Sequence, residues 1–420
     1  MQHNATIMIE VKPSVDNYFV CPECKSECPA VKDVLIRSVH IMADCACNKC
    51  GLQFYQVFPV GHNVEDQISV GKQDSKFYRG DHSESWLFDS VVRSHEELKG
   101  DEVKIEKIVF RECADVVILN TLDYLYGHVL LKLYNAFYHL DRQQHLGLVL
   151  IIPRIFEWLI PKGCAEAWVV DLKLNELAYS HDAIQKFVSQ QFQRFDSIYV
   201  SRAYSHPDVT AIDISRLTGV KPFDLSTFRG RNPVITFILR EDRWWLPSMA
   251  DYWFFRACRK LKILDWGGRV LSHRQNKLVK RAIRQIRKRL PAAEFHIAGL
   301  GQTGSFYGHA NDERETKVDV TAEIAWCKIY ASSHVVIGVH GSNMLLPTAL
   351  AAGCVEILPE ERYGNMVQDI SVRYHDRRQL FFYRFADQYS SAHSVSSKVV
   401  AMIEHYDMYH KNMCLNTYGS

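Results

Sequence analysis

Two pairs of cysteines near the start of the chain have the spacing of metal ligands. The first pair is Cys21-Pro-Glu-Cys24, and the second is Cys47-Asn-Lys-Cys50, which a glycine follows. Each C-x-x-C pair can form a tight turn whose backbone amides point at the sulfur atoms, and two such turns complete a tetrahedral site for Zn²⁺. We therefore expect these four cysteines to hold one zinc ion. Because four thiolates leave no open coordination position, the ion would be structural and not catalytic.

The cysteine-rich segment resembles zinc ribbons, in which a glycine also follows the second pair. Six of the 12 cysteines lie between Cys21 and Cys50, so Cys28 and Cys45 are surplus to a four-ligand site. Either of them could replace a ligand or remain a free thiol. A reduced, metal-free loop region is the alternative interpretation of the whole segment. The six cysteines elsewhere in the chain are scattered singly and are expected to fill the core.

A second stretch whose residues could bind a ligand is HVVIGVHGSNMLLPTALAAGCVEILP. In it a β-rich run ends in a turn, and a helix follows. The turn residues are His340, Gly341, Ser342 and Asn343. Such a turn directs free backbone N–H groups and the positive end of the helix dipole into the crevice at the carboxyl end of the strand. Gly341 would let phosphates approach the backbone, and His340 could bind a phosphate or a sugar. Glu356 lies on the next strand, where a carboxylate could bind ribose hydroxyls.

This stretch is similar to the C-terminal signature of glycosyltransferase family 61, in which VG-x-HG-(A/S) is followed by a helix and a VEI-x-P strand. Two further segments fit the same family. ITFILREDRWW, with Arg240 and Arg243, resembles its strand followed by arginine, and LYGHVLLKLYNAFYHL, with His128, resembles its N-terminal Gly-His helix. The chain has Ser342 and NMLLP where the family usually has Ala and often LTN. The resemblance therefore leaves the sugar and the acceptor open.

The resemblance implies a nucleotide-sugar donor, held mainly by the C-terminal domain, and inverting transfer to a hydroxyl of a glycan or glycolipid without a catalytic metal. An arginine and a helix N-terminus would then offset the charge of the leaving diphosphate, with Arg240 and the 340–343 turn as candidates. An inverting reaction also needs a base for the acceptor hydroxyl, for which Asp123 and His128 are the candidates. Gly301, in the glycine-rich HIAGLGQTG, is expected near the nucleobase.

Strand and helix patterns alternate through most of the chain. The predicted strands between the helical patterns are KIEKIVF, DVVIL, GLVLII and EAWVVDL. A second series of alternating strands and helices begins at NPVITFILR. Such alternation predicts parallel sheets. We expect an α/β protein with two Rossmann-like domains of the GT-B type, preceded by a small zinc-ribbon-like β unit. The expected domains are 1–78 (zinc-ribbon-like), 79–228 (acceptor) and 229–420 (nucleotide-sugar donor, with a terminal helix).

The composition is that of an ordinary globular protein: 420 residues, 47% hydrophobic and 23% charged. Lys and Arg number 50 against 48 for Asp and Glu, a net charge of +2. This balance disfavours a nucleic-acid-coating protein, which usually carries a strong basic excess. Two competing hypotheses remain: a zinc-ribbon nucleic-acid-binding or adaptor protein with a non-catalytic α/β part, and a degenerate glycosyltransferase that serves as an assembly partner.

The patterns of charge and hydropathy predict where in the cell the protein is located and which segments form its surface. No apolar run approaches the roughly 18 residues that span a bilayer, and the N-terminus lacks a charged region followed by an apolar one, so we expect a cytoplasmic protein. Nine Lys or Arg residues between Arg269 and Arg289 lie on an amphipathic helical pattern. A solvated face is the ordinary interpretation. The alternative is docking on anionic lipid, at the inner face of the membrane, or on an anionic acceptor. The aromatic run RWWLPSMADYWFF is expected in an interdomain core or in contact with acceptor sugar or lipid.

Overall fold

The computed structural model of the chain describes residues 7–15, 19–27, 30–64, 68–79, 85–100, 102–246 and 248–414. The chain divides into two compact units, Met1–Pro207 and Asp208–Ser420. Each unit contains a six-stranded sheet and several helices. Among the described residues, no helix combines the length and the apolar character needed to cross a lipid bilayer.

The first unit contains thirteen strands and four α-helices within the described residues. The strands are β1 (Met8–Lys12), β2 (Ala30–Ile36), β3 (Ile41–Ala46), β4 (Gln53–Val57), β5 (Ile68–Gly71), β6 (Phe77–Arg79), β7 (Leu98–Lys99), β8 (Ile105–Val109), β9 (Asp115–Asn120), β10 (Gly147–Pro153), β11 (Glu166–Val170), β12 (Ser180–His181) and β13 (Ser197–Ser201). The helices are α1 (Ser85–Glu96), α2 (Tyr126–Tyr134), α3 (Ala136–Arg142) and α4 (Asp182–Phe192).

The α/β sheet of the first unit has the order β1-β13-β9-β10-β11-β8. Its four central strands are parallel, and the two edge strands run antiparallel to their neighbours. Every residue of β10 and β11 is buried, as expected for strands of a parallel sheet that is covered on both faces. The first strand of the chain, β1, therefore belongs to this sheet and not to the cysteine-rich segment.

The cysteine-rich segment continues into a five-stranded antiparallel meander, β2-β3-β4-β5-β6. One face of this meander is apolar and packs against α1. The shared core consists of Leu35, Met42, Val57, Ile68, Val70 and Val91, with Tyr55, Phe77 and Phe88 at its margin. The small β unit expected from the sequence is thus present.

The second unit contains six strands and eight α-helices within the described residues. The strands are β14 (Val234–Arg240), β15 (Glu294–Leu300), β16 (Asn311–Glu315), β17 (Val335–Val339), β18 (Gly353–Leu358) and β19 (Tyr383–Asp387). The helices are α5 (Ser215–Thr218), α6 (Met249–Lys260), α7 (Leu264–Arg289), α8 (Val320–Ser332), α9 (Leu345–Leu350), α10 (Arg378–Phe382), α11 (Ala392–Glu404) and α12 (Tyr406–Tyr409).

All six strands of the second unit are parallel, in the order β16-β15-β14-β17-β18-β19. Numbered along the chain, this is the 3-2-1-4-5-6 order of the Rossmann fold. The direction in which successive strands are added to the sheet reverses between β14 and β17, and ligands of such sheets bind in the crevice outside the carboxyl ends of the strands at that point. The expectation of an α/β protein with two Rossmann-like units and a small β unit in the N-terminal part of the chain is confirmed.

Two helical patterns differ from the expectation. The pattern beginning at Tyr126 forms two helices, α2 and α3, because the Asn135 side chain donates to the carbonyls of Leu131 and Lys132 at the junction. The helix expected after the 340–343 turn is a 3₁₀ turn, Ser342–Met344, followed by the six-residue α9. The domain boundaries at 78/79 and 228/229 remain predictions, whereas the two compact units meet at Pro207.

Candidate functional site

The four cysteines of the two C-x-x-C pairs converge on one point. Their sulfur atoms all lie within 4.8 Å of one another. Cys21 Sγ is 3.6 Å from Cys50 Sγ, and Cys24 Sγ is 3.6 Å from Cys47 Sγ. A tetrahedral ion with metal–sulfur bonds of about 2.3 Å would separate its ligands by roughly 3.8 Å. The cluster therefore has the dimensions of a four-thiolate metal site.

Each pair is held in a tight turn by its own backbone. In the first, the Cys21 amide donates to Ser26 O and the Lys25 amide to Cys21 O; in the second, the Gly51 amide donates to Cys47 O. Gly51 adopts a φ of 76°, which explains why a glycine follows the pair. The Ser26 hydroxyl lies 3.3 Å from Cys47 Sγ, and hydrogen bonds, first among them this one, lower the pKa of Cys47 to about 5. At Cys50 a backbone hydrogen bond from Leu52 favours the thiolate, but burial and the neighbouring thiols outweigh it and raise the pKa to about 12. Thiolate is the form that binds metal.

Cys45 takes no part in this cluster. Its side chain is fully buried on β3, and burial raises the pKa of its thiol to about 12. A neutral, buried thiol on a central strand is a core residue. Cys28, the other surplus cysteine, lies outside the described residues.

In the second unit, His340, Gly341, Ser342 and Asn343 form the turn at the carboxyl end of β17, beside the end of β14. Gly341 has a φ of 147°, which L side chains rarely adopt. Within the described part of the chain, the amides of Gly341, Ser342 and Asn343 donate to no acceptor. Because α9 has only six residues, a helix dipole contributes little here. The turn offers unpaired N–H groups, and the positive charge must come from side chains.

Arg243 supplies that charge. Its Nη1 donates a 2.7 Å hydrogen bond to the His340 carbonyl, which places the guanidinium directly against the turn. A Cβ on Gly341 would overlap this nitrogen. Among the described residues, no carboxylate lies within ion-pairing distance of Arg243. Burial, followed by the charge of Arg240, lowers the pKa of Arg243, so an incoming anion would relieve an unfavourable environment.

Arg240, at the last position of β14, is already paired. Its Nε and Nη2 bind the Asp242 carboxylate at 2.7 and 2.6 Å, a bidentate arrangement. The Arg240 charge is therefore largely offset before any ligand arrives. Both arginines expected at the donor site lie at the switch point of the sheet, but only Arg243 contacts the turn.

Glu356, on β18, is completely buried behind the turn. Its Oε1 lies 3.0 Å from His340 Nδ1, while His340 Nε2 lies 3.6 Å from Asp369 Oδ2. Burial, reinforced by Asp369, raises the pKa of Glu356 well above its usual range, and burial lowers the pKa of His340. A protonated Glu356 can donate to a neutral His340. This contact fixes the orientation of the His340 imidazole, and it occupies Oε1 of Glu356.

Gly301 follows β15, on the other side of β14. A Cβ at this position would overlap the side chain of Glu241. The Glu241 carboxylate accepts hydrogen bonds from the amides of Gln302 and Thr303, at 2.8 and 2.6 Å. The carboxylate thus occupies two amides that an anion would otherwise use, and phosphate binding at the 340–343 turn stays a prediction.

In the first unit, the structure brings the two candidate bases together. Asp123 follows β9 and is buried, and His128 lies at the start of α2 with its Nδ1 3.4 Å from Asp123 Oδ1. Lys132, one turn along α2, donates to Asp123 Oδ2 at 2.8 Å. Burial alone would raise the pKa of Asp123, but Lys132 and His128 outweigh it and hold the pKa below its usual range. The ionised carboxylate can orient the His128 imidazole.

Three aromatic side chains around His128 were not expected from the sequence. The His62 ring lies 4.2 Å from the His128 ring, between centroids, and Trp86 and His206 flank His62. Burial, with the charge of His128, lowers the pKa of His62 to about 2, so this imidazole stays neutral. Trp86 is 43% exposed. No spacing pattern relates these residues, because they come from separate segments of the chain.

A cavity of about 20 Å³ lies beside the Asp123–His128 pair, lined in part by His40, His62, Asn63 and Trp86. It is large enough for about one water molecule. His62 Nε2 and the buried Asn63 Oδ1 have no hydrogen-bond partner among the described residues. A hydroxyl group could therefore be bound here through a donor and an acceptor.

No protein-family model matches the sequence, and no curated protein matches it either. Solved structures that the chain matches include ADP-heptose lps heptosyltransferase II from E. coli, at 9% identity over 70% of this chain and 99% of that chain, with a TM-score of 0.39. A candidate UDP-N-acetylglucosamine 2-epimerase from Listeria monocytogenes is 11% identical over 73% of this chain and 70% of that chain, with a TM-score of 0.29. The structure of TarM is 9% identical over 95% of this chain and 73% of that chain, with a TM-score of 0.23. Likenesses at this level assign no family and no activity, and the similarity to glycosyltransferase family 61 remains one of motifs.

Proposed function

We propose that the chain is a glycosyltransferase that moves a sugar from a nucleotide-sugar donor to a hydroxyl of a glycan or glycolipid, with inversion. The observation that carries this proposal is the position of Arg243 at the switch point of a Rossmann-type sheet. Its guanidinium has no paired carboxylate among the described residues and lies against a turn with unpaired amides. Positive charge and free N–H groups at such a crevice suit a diphosphate.

The second unit would bind the donor. Arg243 and the amides of the 340–343 turn would hold the diphosphate, and Arg240 would add charge when the ligand competes with Asp242. Charge on the diphosphate grows as the glycosidic bond breaks, so a fixed guanidinium stabilises the transition state more than the ground state. His340, oriented by Glu356, would contact the sugar or the phosphate. In this scheme a catalytic metal is not required.

The first unit would supply the base. The acceptor O–H proton would pass to His128 while its oxygen forms a bond to the anomeric carbon of the sugar. The bond from that carbon to the phosphate oxygen breaks, and the nucleoside diphosphate leaves with the electron pair. Asp123 would stabilise the imidazolium, in the role that a buried carboxylate plays beside a catalytic histidine. Trp86 offers an aromatic face for the acceptor.

The zinc ion that we propose at Cys21, Cys24, Cys47 and Cys50 would have a structural role. With four thiolate ligands the ion has no open coordination position for a substrate. It would instead stabilise the folded form of the two C-x-x-C turns. The meander that follows has an apolar core of its own with α1.

A thermal-shift screen of UDP-, GDP-, CMP- and TDP-sugars tests the function. We expect one nucleotide class to raise the melting temperature of the wild type by mass action. The same nucleotide should leave the melting temperature of Gly341→Val unchanged. The stabilising donor is then incubated with candidate acceptors, and the product is identified by mass spectrometry. If no nucleotide sugar stabilises the wild type, the proposal is wrong.

A further inference from the structure

A group of large apolar side chains is exposed on one helical hairpin of the second unit. The hairpin consists of α6, the connection 261–263 and the first turns of α7. Its exposed apolar residues are Met249 (50%), Trp253 (57%), Leu261 (67%), Ile263 (42%) and Trp266 (61%). Two tryptophans and three aliphatic side chains exposed within 18 residues form an unusual surface for a globular protein.

The hairpin is firmly constructed, so this exposure is a property of the fold. Ser248 caps α6 by accepting a hydrogen bond from the Asp251 amide, and Arg274 on α7 binds the Asp251 carboxylate. At the other end, Gly267 packs so closely on Cys258 that a Cβ would overlap the sulfur. The inner faces of both helices are therefore engaged, and the tryptophans lie on the outer side.

Basic residues alternate with these apolar ones. Residues 249–269 contain five Lys or Arg and two Asp, and one of the two aspartates, Asp251, is bound to Arg274. The cations are Arg256, Arg259, Lys260, Lys262 and Arg269, all exposed. In the described part of the chain, none of them has a carboxylate within 4.0 Å. Trp253, Arg256, Arg259 and Lys260 also line a shallow depression in this surface.

The basic face of α7 farther along, 274–289, has a different character. Its apolar side chains, among them Val279, Ile283 and Ile286, are buried. Several of its cations are already engaged, since Arg287 donates to the His309 carbonyl and Arg289 binds Glu404. This face offers charge without exposed apolar groups, so it cannot insert into a lipid headgroup layer.

We propose that the α6–α7 hairpin surface, formed by the exposed residues of 249–269, docks on an anionic lipid bilayer. Tryptophans favour the interface between headgroups and acyl chains, and Lys and Arg beside them bind anionic headgroups. A second copy of the chain fits this surface poorly, because a two-fold contact would bring five unpaired cations against five others. Taken with the proposed function, on which this point rests, the location would bring a glycosyltransferase to a surface that carries lipid-linked acceptors.

Co-sedimentation of the full-length protein with vesicles tests this proposal. One set of vesicles contains phosphatidylcholine alone, and the other also contains phosphatidylglycerol. Trp253→Ala/Trp266→Ala removes the aromatic groups, and Arg259→Glu/Lys260→Glu/Arg269→Glu reverses the charge. The matched control is Lys277→Glu/Arg281→Glu/Arg284→Glu, which changes net charge equally on the exposed face of α7. Circular dichroism melts establish that all variants are folded.

We expect the wild type to bind the anionic vesicles and to be released by salt. Both hairpin variants should lose about tenfold or more of this binding, since each cation near an anionic surface contributes substantially, while the control keeps most of it. Equal binding to both kinds of vesicle, or an equal loss in the control, overturns the proposal. So does a wild-type dimer in light scattering that Trp253→Ala/Trp266→Ala dissociates, because the surface then binds a second copy.

Discussion

Arg243 lies against Gly341: its Nη1 donates to the carbonyl of the preceding residue, His340, and occupies the space that a Cβ at position 341 would need. The two residues are almost a hundred positions apart in the chain and follow two strands, β14 and β17, that adjoin at the switch point of the sheet. The glycine thus serves two purposes. It adopts the φ of 147° that the turn requires, and it leaves room for a guanidinium beside the unpaired amides.

Gly341→Ala should therefore disable the turn without unfolding the unit. The added methyl group must displace Arg243, and the residue must hold a φ that alanine rarely adopts. We expect loss of nucleoside diphosphate binding and a lowered melting temperature of a few degrees, and Gly341→Val should be more severe. Gly308→Ala is the control, because its φ is also positive but its Cβ would contact nothing within 4 Å. Unchanged nucleotide binding in Gly341→Ala would contradict the assignment of this turn.

The two arginines should differ in their contribution to turnover. Arg243→Ala removes a charge that contacts the turn, and we expect turnover to fall by about 10²-fold or more. Arg240→Ala should have a smaller effect, since Asp242 already offsets its charge. Steady-state kinetics with the donor found in the nucleotide screen measures both. If Arg240→Ala is the more damaging change, the diphosphate lies nearer to Arg240 than the geometry indicates.

Glu356 offers a test of protonation state. Since burial raises its pKa well above the usual range, glutamine should replace the protonated carboxyl and still donate to His340. Glu356→Ala leaves Nδ1 of the buried His340 imidazole without its hydrogen-bond partner and should weaken donor binding by about tenfold. Calorimetric titration of both variants separates two roles. A Glu356→Gln variant as weak as Glu356→Ala would mean that an ionised carboxylate binds the ligand directly, as it would bind ribose hydroxyls.

Zinc content should follow the four clustered cysteines alone. Protein purified without added metal should contain about one equivalent of zinc, and Cys47→Ser should lose most of it. Cys45→Ala should keep the metal, because its thiol is buried, neutral and outside the cluster. Elemental analysis by mass spectrometry gives the stoichiometry. Zinc loss in the Cys45 variant equal to that in the Cys47 variant would place Cys45 among the ligands.

Acid should destabilise the first unit through buried histidines. Burial lowers the pKa of His40 and of His139 to about 4, against 6.5 in the unfolded chain. Between these values the unfolded state binds protons that the native state does not, so stability is greatest above pH 6.5 and falls as the pH drops towards 4. Each histidine accounts for about 3 kcal/mol over that window. The pKa of Asp123 is lowered in the folded protein. The stability that this carboxylate contributes is therefore lost only when the pH falls below the usual pKa of an aspartate.

His139→Gln isolates one of these groups, since His139 lies outside the candidate site and, among the described residues, its ring bonds only Ser201 Oγ, through Nε2. Denaturant unfolding of this variant from pH 7 to pH 4 should show a shallower loss of stability, by about 1.4 kcal/mol per pH unit within the window. An unchanged slope would mean that His139 does not titrate on unfolding.

Local spacing explains which parts of the site are predictable from sequence. The two C-x-x-C turns and the His-Gly turn are each encoded within a few adjacent residues, and the alternation of strands and helices predicts the sheets that carry the turn. The pairing of Arg240 with Asp242 is equally local, because the two residues are separated by one position.

Other parts depend on tertiary contacts that no short pattern records. Lys132 reaches Asp123 only because α2 begins at the end of β9, and His62 and Trp86 come to His128 from different segments. The six-residue length of α9 also follows from tertiary structure, since the carbonyl of its last residue, Leu350, accepts hydrogen bonds from the Phe223 amide and from Arg373. Hydrophobicity alone also does not show whether Trp253 and Trp266 are exposed or packed in a core, and both are exposed.

Isothermal titration calorimetry with the nucleoside diphosphates tests whether the Arg243–Gly341 turn binds the diphosphate of the donor. We expect at least one nucleoside diphosphate to bind the wild type at a single site, and Arg243→Ala to weaken this binding by about tenfold or more. Arg281→Ala, on the exposed face of α7, should bind like the wild type. If the wild type binds none of these nucleotides, or if Arg243→Ala binds as tightly as the wild type, the donor site is not at the Arg243–Gly341 turn and the proposed function is contradicted.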